Sequence, residues 1–300
     1  MVDTLQPGFM QIRLEALSSA ECLLEHDDTE PRAIVFERQL RLGGSGTVLQ
    51  THDLVEGFKV GDAVVACLSD WDISTDSRGE EMATVHESLV CKLPATASKS
   101  DSAPIPVAFV IATAILHNAS GISLPFRSVE QQQQQEDLSP RNLLLISNNT
   151  VLPLMVIKLL RLYTVSTIFI VYKPKTSTES TEGAVSIDPA MMAGANFAQE
   201  PSSTSDLWEV ARGLRSNLGH YGPYSGSDCF DLLLDLTGQA ETPEPYRRLL
   251  CPNIGRLVQL TQAVHTDLEW LFTEMRIMEE LGRRLERGEM GAQLVNIRHS

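Results

Sequence analysis

Apolar and polar residues alternate with a period of two through the first part of the chain. Residues 10–17 place polar side chains on one face and apolar side chains on the other, which predicts a half-buried strand. Further strands are predicted at 43–49, at 63–68 after the turn residues Gly61 and Asp62, and as a pair within 82–93. The apolar run 107–118 predicts a buried helix. This part of the chain is therefore predicted to be mostly β.

The hydrophobic pattern changes after a glutamine tract that runs from Gln131 to Gln135. From residue 142 onward, short apolar runs alternate with helical segments, which predicts a parallel sheet with crossover helices. Strands are predicted at 143–146, 165–172, 194–197, 231–236 and 256–260, and helices at 154–163, 207–214, 245–250 and 273–287. The polar stretch 176–182 is expected to form a loop.

The pattern thus divides the chain into three segments. Residues 1–127 are predicted to form a β domain, and residues 142–300 a Rossmann-like nucleotide-binding domain. Residues 128–141, which contain the glutamine tract, are expected to form a solvated loop between them.

The turn after the strand 143–146 holds the first group of candidate site residues. They are Ser147, Asn148, Asn149, Thr150, Val151 and Leu152, and Pro153 follows them at the predicted helix start. A nucleotide-binding turn usually contains glycines, which let the backbone approach a pyrophosphate at the helix N-terminus. This turn contains none, and Val151 places a β-branched side chain where a phosphate would approach. Either backbone amides and the polar side chains bind the pyrophosphate, or the turn packs without a ligand.

Two lysines and a threonine form the second group of candidates. Lys173 and Lys175 follow the predicted strand 165–172, at the position where a carboxylate would bind the ribose of NAD. Two lysines without a carboxylate favour a 2′-phosphate and therefore NADPH, unless they form only a solvated basic spot. Thr237 follows the strand 231–236, at the end of a parallel strand where ligands bind in open sheets. The alternative for Thr237 is an ordinary turn.

Net charge and terminal composition limit the classes of partner. The 300 residues carry a formal net charge of −15, which argues against a nucleic acid or an anionic membrane as partner. The N-terminus has neither the basic nor the apolar region of a secretion signal. No apolar run approaches the roughly 18 residues that span a bilayer. We therefore expect a cytoplasmic protein.

Cysteine and histidine positions give no sign of a metal site. The five cysteines, Cys22, Cys67, Cys91, Cys229 and Cys251, are scattered and have no C-x-x-C spacing. This spacing predicts reduced, mostly buried thiols and no structural zinc cluster. The histidines His52, His86, His117 and His220 have no carboxylate at ligand spacing, so no metal is expected.

Six segments of the chain occur in an order that resembles a known family. They are 55–65 (Val-Glu-Gly-Phe-Lys-Val-Gly-Asp-Ala-Val-Val), 92–94 (Lys-Leu-Pro), 113–116 (Thr-Ala-Ile-Leu), the strand–turn–helix 143–162, 194–196 (Gly-Ala-Asn) and 231–238 (Asp-Leu-Leu-Leu-Asp-Leu-Thr-Gly). Over about residues 10 to 290 the chain is similar to the medium-chain dehydrogenase/reductase superfamily. Within it, the chain resembles the zinc-independent quinone oxidoreductase and trans-enoyl reductase branch.

The resemblance implies an α/β protein with a GroES-like β domain and a Rossmann-type, doubly wound parallel sheet domain. It implies NADPH as coenzyme and hydride transfer to an activated carbon–carbon double bond (enoyl or enone) or a quinone. The substrate would be a small molecule or an acyl group on a carrier, in polyketide or other secondary metabolism. The family's glycine-rich turn corresponds to residues 147–153 here, and its phosphate-selecting segment to residues 172–176. Since related enzymes often form dimers, a homodimer is an expectation.

The chain also departs from the family pattern. Ala20 lies near the position of the catalytic cysteine of zinc-dependent relatives, and no Gly-His-Glu follows, so the resemblance implies no zinc. The glycines of the turn are replaced, and the chain is expected to be shorter than the family at both ends. The alternative to an enzyme is therefore a non-catalytic or truncated relative that acts as a binding or assembly subunit.

Overall fold

A computed structural model describes the greater part of the chain. The described residues are 5–19, 42–69, 72–122, 124, 142–147, 151–163, 167–172, 188–199, 209, 213, 229–237, 244–259 and 276–290. They fall into two compact units. Unit 1 comprises residues 1–22, 35–111 and 265–300, and unit 2 comprises residues 23–34 and 112–264.

In the part of unit 1 that the structure describes, six strands form an antiparallel sheet. The strands are β1 (Phe9–Ser19), β2 (Leu42–Thr51), β3 (Ala63–Leu68), β4 (Ile73–Thr75), β5 (Glu81–His86) and β6 (Val90–Lys92). Their order across the sheet is β4-β5-β1-β2-β3-β6. The alternation predicted for the first strand is preserved, since Met10 and Ile12 are buried while Glu15 is exposed. This sheet is the predicted β domain.

Two glycines allow close packing around β2. A Cβ atom at Gly46 would collide with the carbonyl oxygen of Arg13 on β1, and one at Gly43 with the carbonyl oxygen of Ala103. Ala103 follows α1 (Lys99–Ser102), a single helical turn. Any larger residue at these two positions would push β2 away from its neighbours.

The apolar run of residues 107–118 forms α2 (Ile105–Ala114), which continues as a π-helical turn over Ile115–Ala119. The boundary between the two units falls within this helix. Together with α1 it makes one 19-residue stretch, Lys99–His117, that is long and apolar enough to cross a bilayer. The expectation that no segment reaches that length was therefore wrong. However, 83% of the stretch is buried inside the protein, which is the pattern of a core helix.

The C-terminal helix belongs to unit 1, which differs from the predicted domain over residues 142–300. This helix, α6 (Ile277–Glu286), contacts β6, and Gly282 lies directly against Cys91 on that strand. One face of this helix carries charged residues, among them Glu279 and Arg283. Its other face is apolar and buried, through Ile277, Met278, Leu281 and Leu285.

The described residues of unit 2 form a parallel sheet of five strands. They are β7 (Asn142–Ser147), β8 (Thr167–Tyr172), β9 (Phe197–Gln199), β10 (Leu232–Asp235) and β11 (Arg256–Gln259). All four pairings between neighbours are parallel, and the order is β9-β8-β7-β10-β11. Numbered along the chain, this is the 3-2-1-4-5 order of a Rossmann sheet. The predicted doubly wound sheet is confirmed.

Helices connect the parallel strands and cover the sheet. They are α3 (Val151–Tyr163), α4 (Asp188–Ala193) and α5 (Glu244–Arg247). Tyr246 of α5 joins a buried cluster with Leu144, Phe169 and Leu233 on one face of the sheet. The crossover from β7 to β8, which contains α3, and the crossover from β10 to β11, which contains α5, run in opposite directions across the sheet. Because both are right-handed, α3 lies on the face opposite α5, where it contacts α4.

A disulfide joins Cys229 to Cys251, with 4.9 Å between their Cα atoms. The expectation of reduced thiols throughout was therefore wrong for this pair. Phe230 and Leu250 form a parallel β-bridge beside the disulfide, in which Phe230 donates a backbone hydrogen bond to Leu249 and accepts one from Cys251. The two cysteines are 22 residues apart, a spacing that matches no known cysteine motif. Only the folded chain brings them together, so the sequence did not predict the disulfide. Cys67 and Cys91 are free and buried, as expected, and burial raises the pKa of both thiols.

A buried ion-pair network on α6 gives a first test of the fold. Glu280 is buried and binds Arg284 at 2.7 Å and Arg283 at 2.7 Å. Because buried charge-assisted hydrogen bonds contribute more than exposed ones, Glu280→Ala should lower the free energy of unfolding by about 2 kcal/mol. Urea denaturation followed by circular dichroism measures this loss.

The neighbouring Glu279 provides the matched control. It pairs with Arg276 on the exposed face of the same helix. Exposed pairs contribute little, so Glu279→Ala should change the free energy of unfolding by no more than about 0.5 kcal/mol. Equal losses in the two variants would contradict the packing of α6 against unit 1.

Candidate functional site

The strand order of unit 2 identifies the edge where sheets of this type bind their ligands. The chain leaves β7 toward β8 on one side and later enters β10 on the other side of β7. The connections therefore diverge at the carboxyl ends of β7 and β10, which is the topological switch point of the sheet. In open α/β sheets, ligands bind in the crevice outside the carboxyl ends of the strands at this point.

Ser147 ends β7, and α3 begins four residues later at Val151. The helix starts three residues before the predicted start at residue 154, so Pro153 is its third residue. The first turn of a helix leaves amide hydrogens without partners inside the helix, and Val151 and Leu152 belong to that turn. Ser147 and Leu152 are buried, while Val151 is half-buried. The structure therefore places these three predicted residues at the switch point.

The remaining candidates near this edge lie outside the described residues. They are Asn148, Asn149 and Thr150 of the turn, and Lys173 and Lys175 after β8. By chain connectivity, Lys173 directly follows Tyr172, the last residue of β8. Asn148 likewise follows Ser147. These five assignments stay predictions.

Thr237 lies at the same edge, and a carboxylate that the sequence analysis did not single out holds it. Asp235 ends β10 and is buried, with 1% of its surface exposed. Its Oδ1 accepts hydrogen bonds from the backbone N–H of Thr237 at 3.0 Å and from the Thr237 hydroxyl at 2.6 Å. Its Oδ2 accepts a hydrogen bond from the side-chain amide of Gln259 at 3.3 Å. Because Gln259 ends β11, Asp235 ties the exit of β10 to the end of the neighbouring strand.

Tyr172 was not singled out as a site residue either, and it lies buried beside Ser147 at the carboxyl edge of the sheet. It pairs with Ser147 across β7 and β8, so the two side chains lie next to each other on the same face. Burial raises the pKa of the Tyr172 phenol, which stays protonated at neutral pH. The sequence offered one signal for such residues. Each of these polar residues directly ends an apolar strand: Ser147, Tyr172 and Asp235.

A second hydrogen-bonded cluster fixes α3 and the approach to β9. The Arg161 guanidinium, near the end of α3, donates to the carbonyl oxygen of Gly194 and to the side-chain oxygen of Asn196. That same oxygen accepts the backbone N–H of Ile168 on β8 at 2.9 Å. Gly194 adopts a φ of +112°, and Arg161 leaves no room there for a Cβ. The cluster explains the Gly194-Ala-Asn196 segment structurally, with no ligand needed.

The described residues contain no group of three or more His, Cys, Asp or Glu side chains that can hold a metal ion. Ala20, the residue at the zinc-ligand position implied by the family resemblance, lies outside this part of the chain. The histidines His86 and His117 take part in local hydrogen bonds, with Ser88 and with the carbonyl oxygen of Ile122 respectively.

No protein-family model matches the chain, and no curated protein matches it either. The fold, by contrast, matches many solved structures.

Three structures illustrate this similarity. The CurK enoyl reductase aligns with a TM-score of 0.57 at 14% identity, over 97% of this chain and 84% of that chain. A cobalt- and zinc-bound alcohol dehydrogenase from Pyrobaculum aerophilum aligns with a TM-score of 0.54 at 15% identity, over 97% and 84%. A mycobacterial protein complexed with NADPH aligns with a TM-score of 0.53 at 14% identity, also over 97% and 84%. Identities this low establish the fold and not the activity. The chain therefore shares with these structures an α/β architecture of a GroES-like domain and a Rossmann domain.

Proposed function

We propose that the protein is a zinc-independent, NADP-dependent oxidoreductase. The observation that carries this proposal is the switch point of the parallel sheet, where β7 leads directly into the N-terminus of α3 and where β10 ends beside it. The same fold in an enoyl reductase and in an NADPH-bound protein supports a nicotinamide coenzyme. When bound, the coenzyme would supply the hydride.

The described residues fit a dinucleotide at two places. Val151 and Leu152 lie in the first turn of α3, the end of the helix that a pyrophosphate approaches in a Rossmann sheet. On the other side of β7, the exit of β10 at Thr237 can receive the second nucleotide half. The fit is poorer at Val151 itself, since its side chain occupies space that a glycine would leave to the phosphate.

The choice of NADPH over NADH depends on the residues after β8. In Rossmann sheets this position selects the coenzyme, because it lies near the 2′ position of the adenosine ribose. Lys173 and Lys175 would supply positive charge for a 2′-phosphate, and no carboxylate stands there to bind a ribose diol. NADPH is therefore the coenzyme we propose.

An activated carbon–carbon double bond, in an enoyl or enone group, or a quinone is the substrate that we propose. Hydride transfer requires alignment and polarisation of the substrate and no protein nucleophile, since the coenzyme carries the chemistry. A small molecule or an acyl group on a carrier satisfies this requirement, as in polyketide or other secondary metabolism. We further propose that the protein acts in the cytoplasm, as a homodimer.

A second function, as a non-catalytic binding or assembly subunit, is favoured by one observation. The turn between β7 and α3 contains no glycine, and the half-buried Val151 begins the helix. A relative that had lost its coenzyme would tolerate such residues. The two functions differ in whether the protein binds NADPH.

The first test compares coenzymes in the wild-type protein and in Lys173→Ala. By isothermal titration calorimetry, the wild-type protein should bind NADPH more tightly than NADH. Removing the Lys173 charge should weaken NADPH binding about tenfold and NADH binding less than twofold, because only NADPH carries the 2′-phosphate. Lys59→Ala, at an exposed lysine of unit 1, serves as the control and should change neither affinity. Absence of NADPH binding to the wild-type protein would favour the assembly subunit.

The second test concerns the helix start. Val151→Gly and Val151→Ala should both raise the affinity for NADPH by about three- to tenfold, since each shortens the side chain next to the phosphate. Both variants remove the bulk of the valine side chain, but only glycine also makes the backbone more flexible. Comparing their affinities therefore separates the two effects. If neither variant binds NADPH more tightly than the wild-type protein, Val151 does not face the coenzyme.

A further inference from the structure

Asp235 occupies an unusual position for a buried carboxylate. It lies at the carboxyl end of β10, at the edge where the proposed function places the coenzyme, and only 1% of its surface is exposed. A carboxylate buried in this way is costly unless hydrogen bonds compensate it. Asp235 accepts such bonds from both Thr237 donors and from Gln259.

The hydrogen bonds of Asp235 fix the path of the chain as it leaves β10. Two of them hold Thr237 only two residues away, so the backbone turns sharply at this point. The third connects the turn to the last residue of β11, and Leu236 donates its N–H to the carbonyl oxygen of Ile146 on β7 at 2.8 Å. The exit turn is therefore held from both neighbouring strands.

The topology says which part of a dinucleotide meets this turn. A Rossmann sheet has two mononucleotide-binding halves, and the first half here comprises β7, β8 and β9. The adenosine half belongs with β8, since the residues after that strand select for the ribose phosphate. The exit of β10 lies in the second half, which is the half left for the nicotinamide nucleotide.

We propose that Asp235 is a positioning residue that holds the Thr237 turn in the orientation that receives the nicotinamide half of the coenzyme. Asp235 itself does not touch the coenzyme, because its carboxylate is buried and engaged by Thr237 and Gln259. It acts through the turn. This assignment rests on the proposed function and adds to it the element that recognises the second nucleotide.

The test uses two probes on the full-length protein. NADPH contains both halves of the coenzyme, whereas adenosine 2′,5′-bisphosphate lacks the nicotinamide nucleotide. Calorimetry with each probe therefore separates loss of the nicotinamide contact from general damage to the sheet. Thermal unfolding of every variant is measured in parallel.

Four substitutions form two matched pairs. Thr237→Val removes the hydroxyl at nearly constant volume, and Thr237→Ser retains it. Asp235→Ala removes both acceptor oxygens, and Asp235→Asn retains the one that Thr237 uses. Arg247→Ala, at an exposed residue of α5, is the control.

Thr237→Val and Asp235→Ala should weaken NADPH binding about tenfold and change binding of the bisphosphate by less than twofold. Thr237→Ser and Asp235→Asn should recover NADPH affinity to within about threefold of the wild-type protein. The control should bind both probes as the wild-type protein does. Should Asp235→Ala fail to fold, the Thr237 pair alone decides the question.

Two results would overturn the inference while the wild-type protein still binds NADPH. One is an equal loss for both probes, which would assign Asp235 a purely structural role. The other is unchanged NADPH binding in Thr237→Val and Asp235→Ala. If the wild-type protein binds neither probe, the proposed function fails first and this inference fails with it.

Discussion

The parallel pairing of β7 with β10 is the constraint on which the account of this protein depends. Leu143, Leu144, Leu145 and Ile146 lie opposite Leu232, Leu233, Leu234 and Asp235, and β7 pairs with β8 on its other edge. Every residue of β7 is buried, so a shift of one position would exchange the two faces of a fully packed layer. This register sets Ser147 beside Tyr172 and brings the exit of β10 next to the start of α3. The candidate site exists only because these strand ends coincide.

The two sides of the candidate site differ in how well they are formed for a coenzyme. The exit of β10 is held by Asp235 through hydrogen bonds to Thr237 and Gln259, and such a buried network persists only when its members are satisfied. The entrance to α3 instead lacks the glycines that normally shape a phosphate site. A coenzyme bound here would rely less on close backbone approach at α3 and more on the pre-formed turn after β10. Under the proposed function, we therefore expect the binding energy to be distributed differently from that of a typical Rossmann site.

Much of the fold could be predicted from the sequence, because burial leaves a periodic signal. The strand at 63–68 was predicted with its observed bounds, and the apolar runs at 143–146 and 231–236 correspond to β7 and β10. Features that depend on distant partners gave no such signal. The Cys229–Cys251 disulfide and the packing of α6 on β6 both arise from contacts between segments that the local pattern does not relate.

The candidate site was only partly predictable for the same reason. Ser147, Val151, Leu152 and Thr237 could be named as candidates because each directly follows or begins a recognisable element. The role of Asp235 depends on Gln259, which lies 24 residues farther along the chain on another strand. A carboxylate at the end of an apolar run is visible in the sequence, but the side chain that compensates it becomes apparent only from the order of the strands.

Hydrogen–deuterium exchange with and without saturating NADPH tests the central claim most directly. If the coenzyme binds at the switch point, the amides of Val151, Leu152 and Thr237 should exchange more slowly in its presence, while those of β2 in unit 1 should be unaffected. Exchange that is unchanged at both the start of α3 and the exit of β10 would contradict the account.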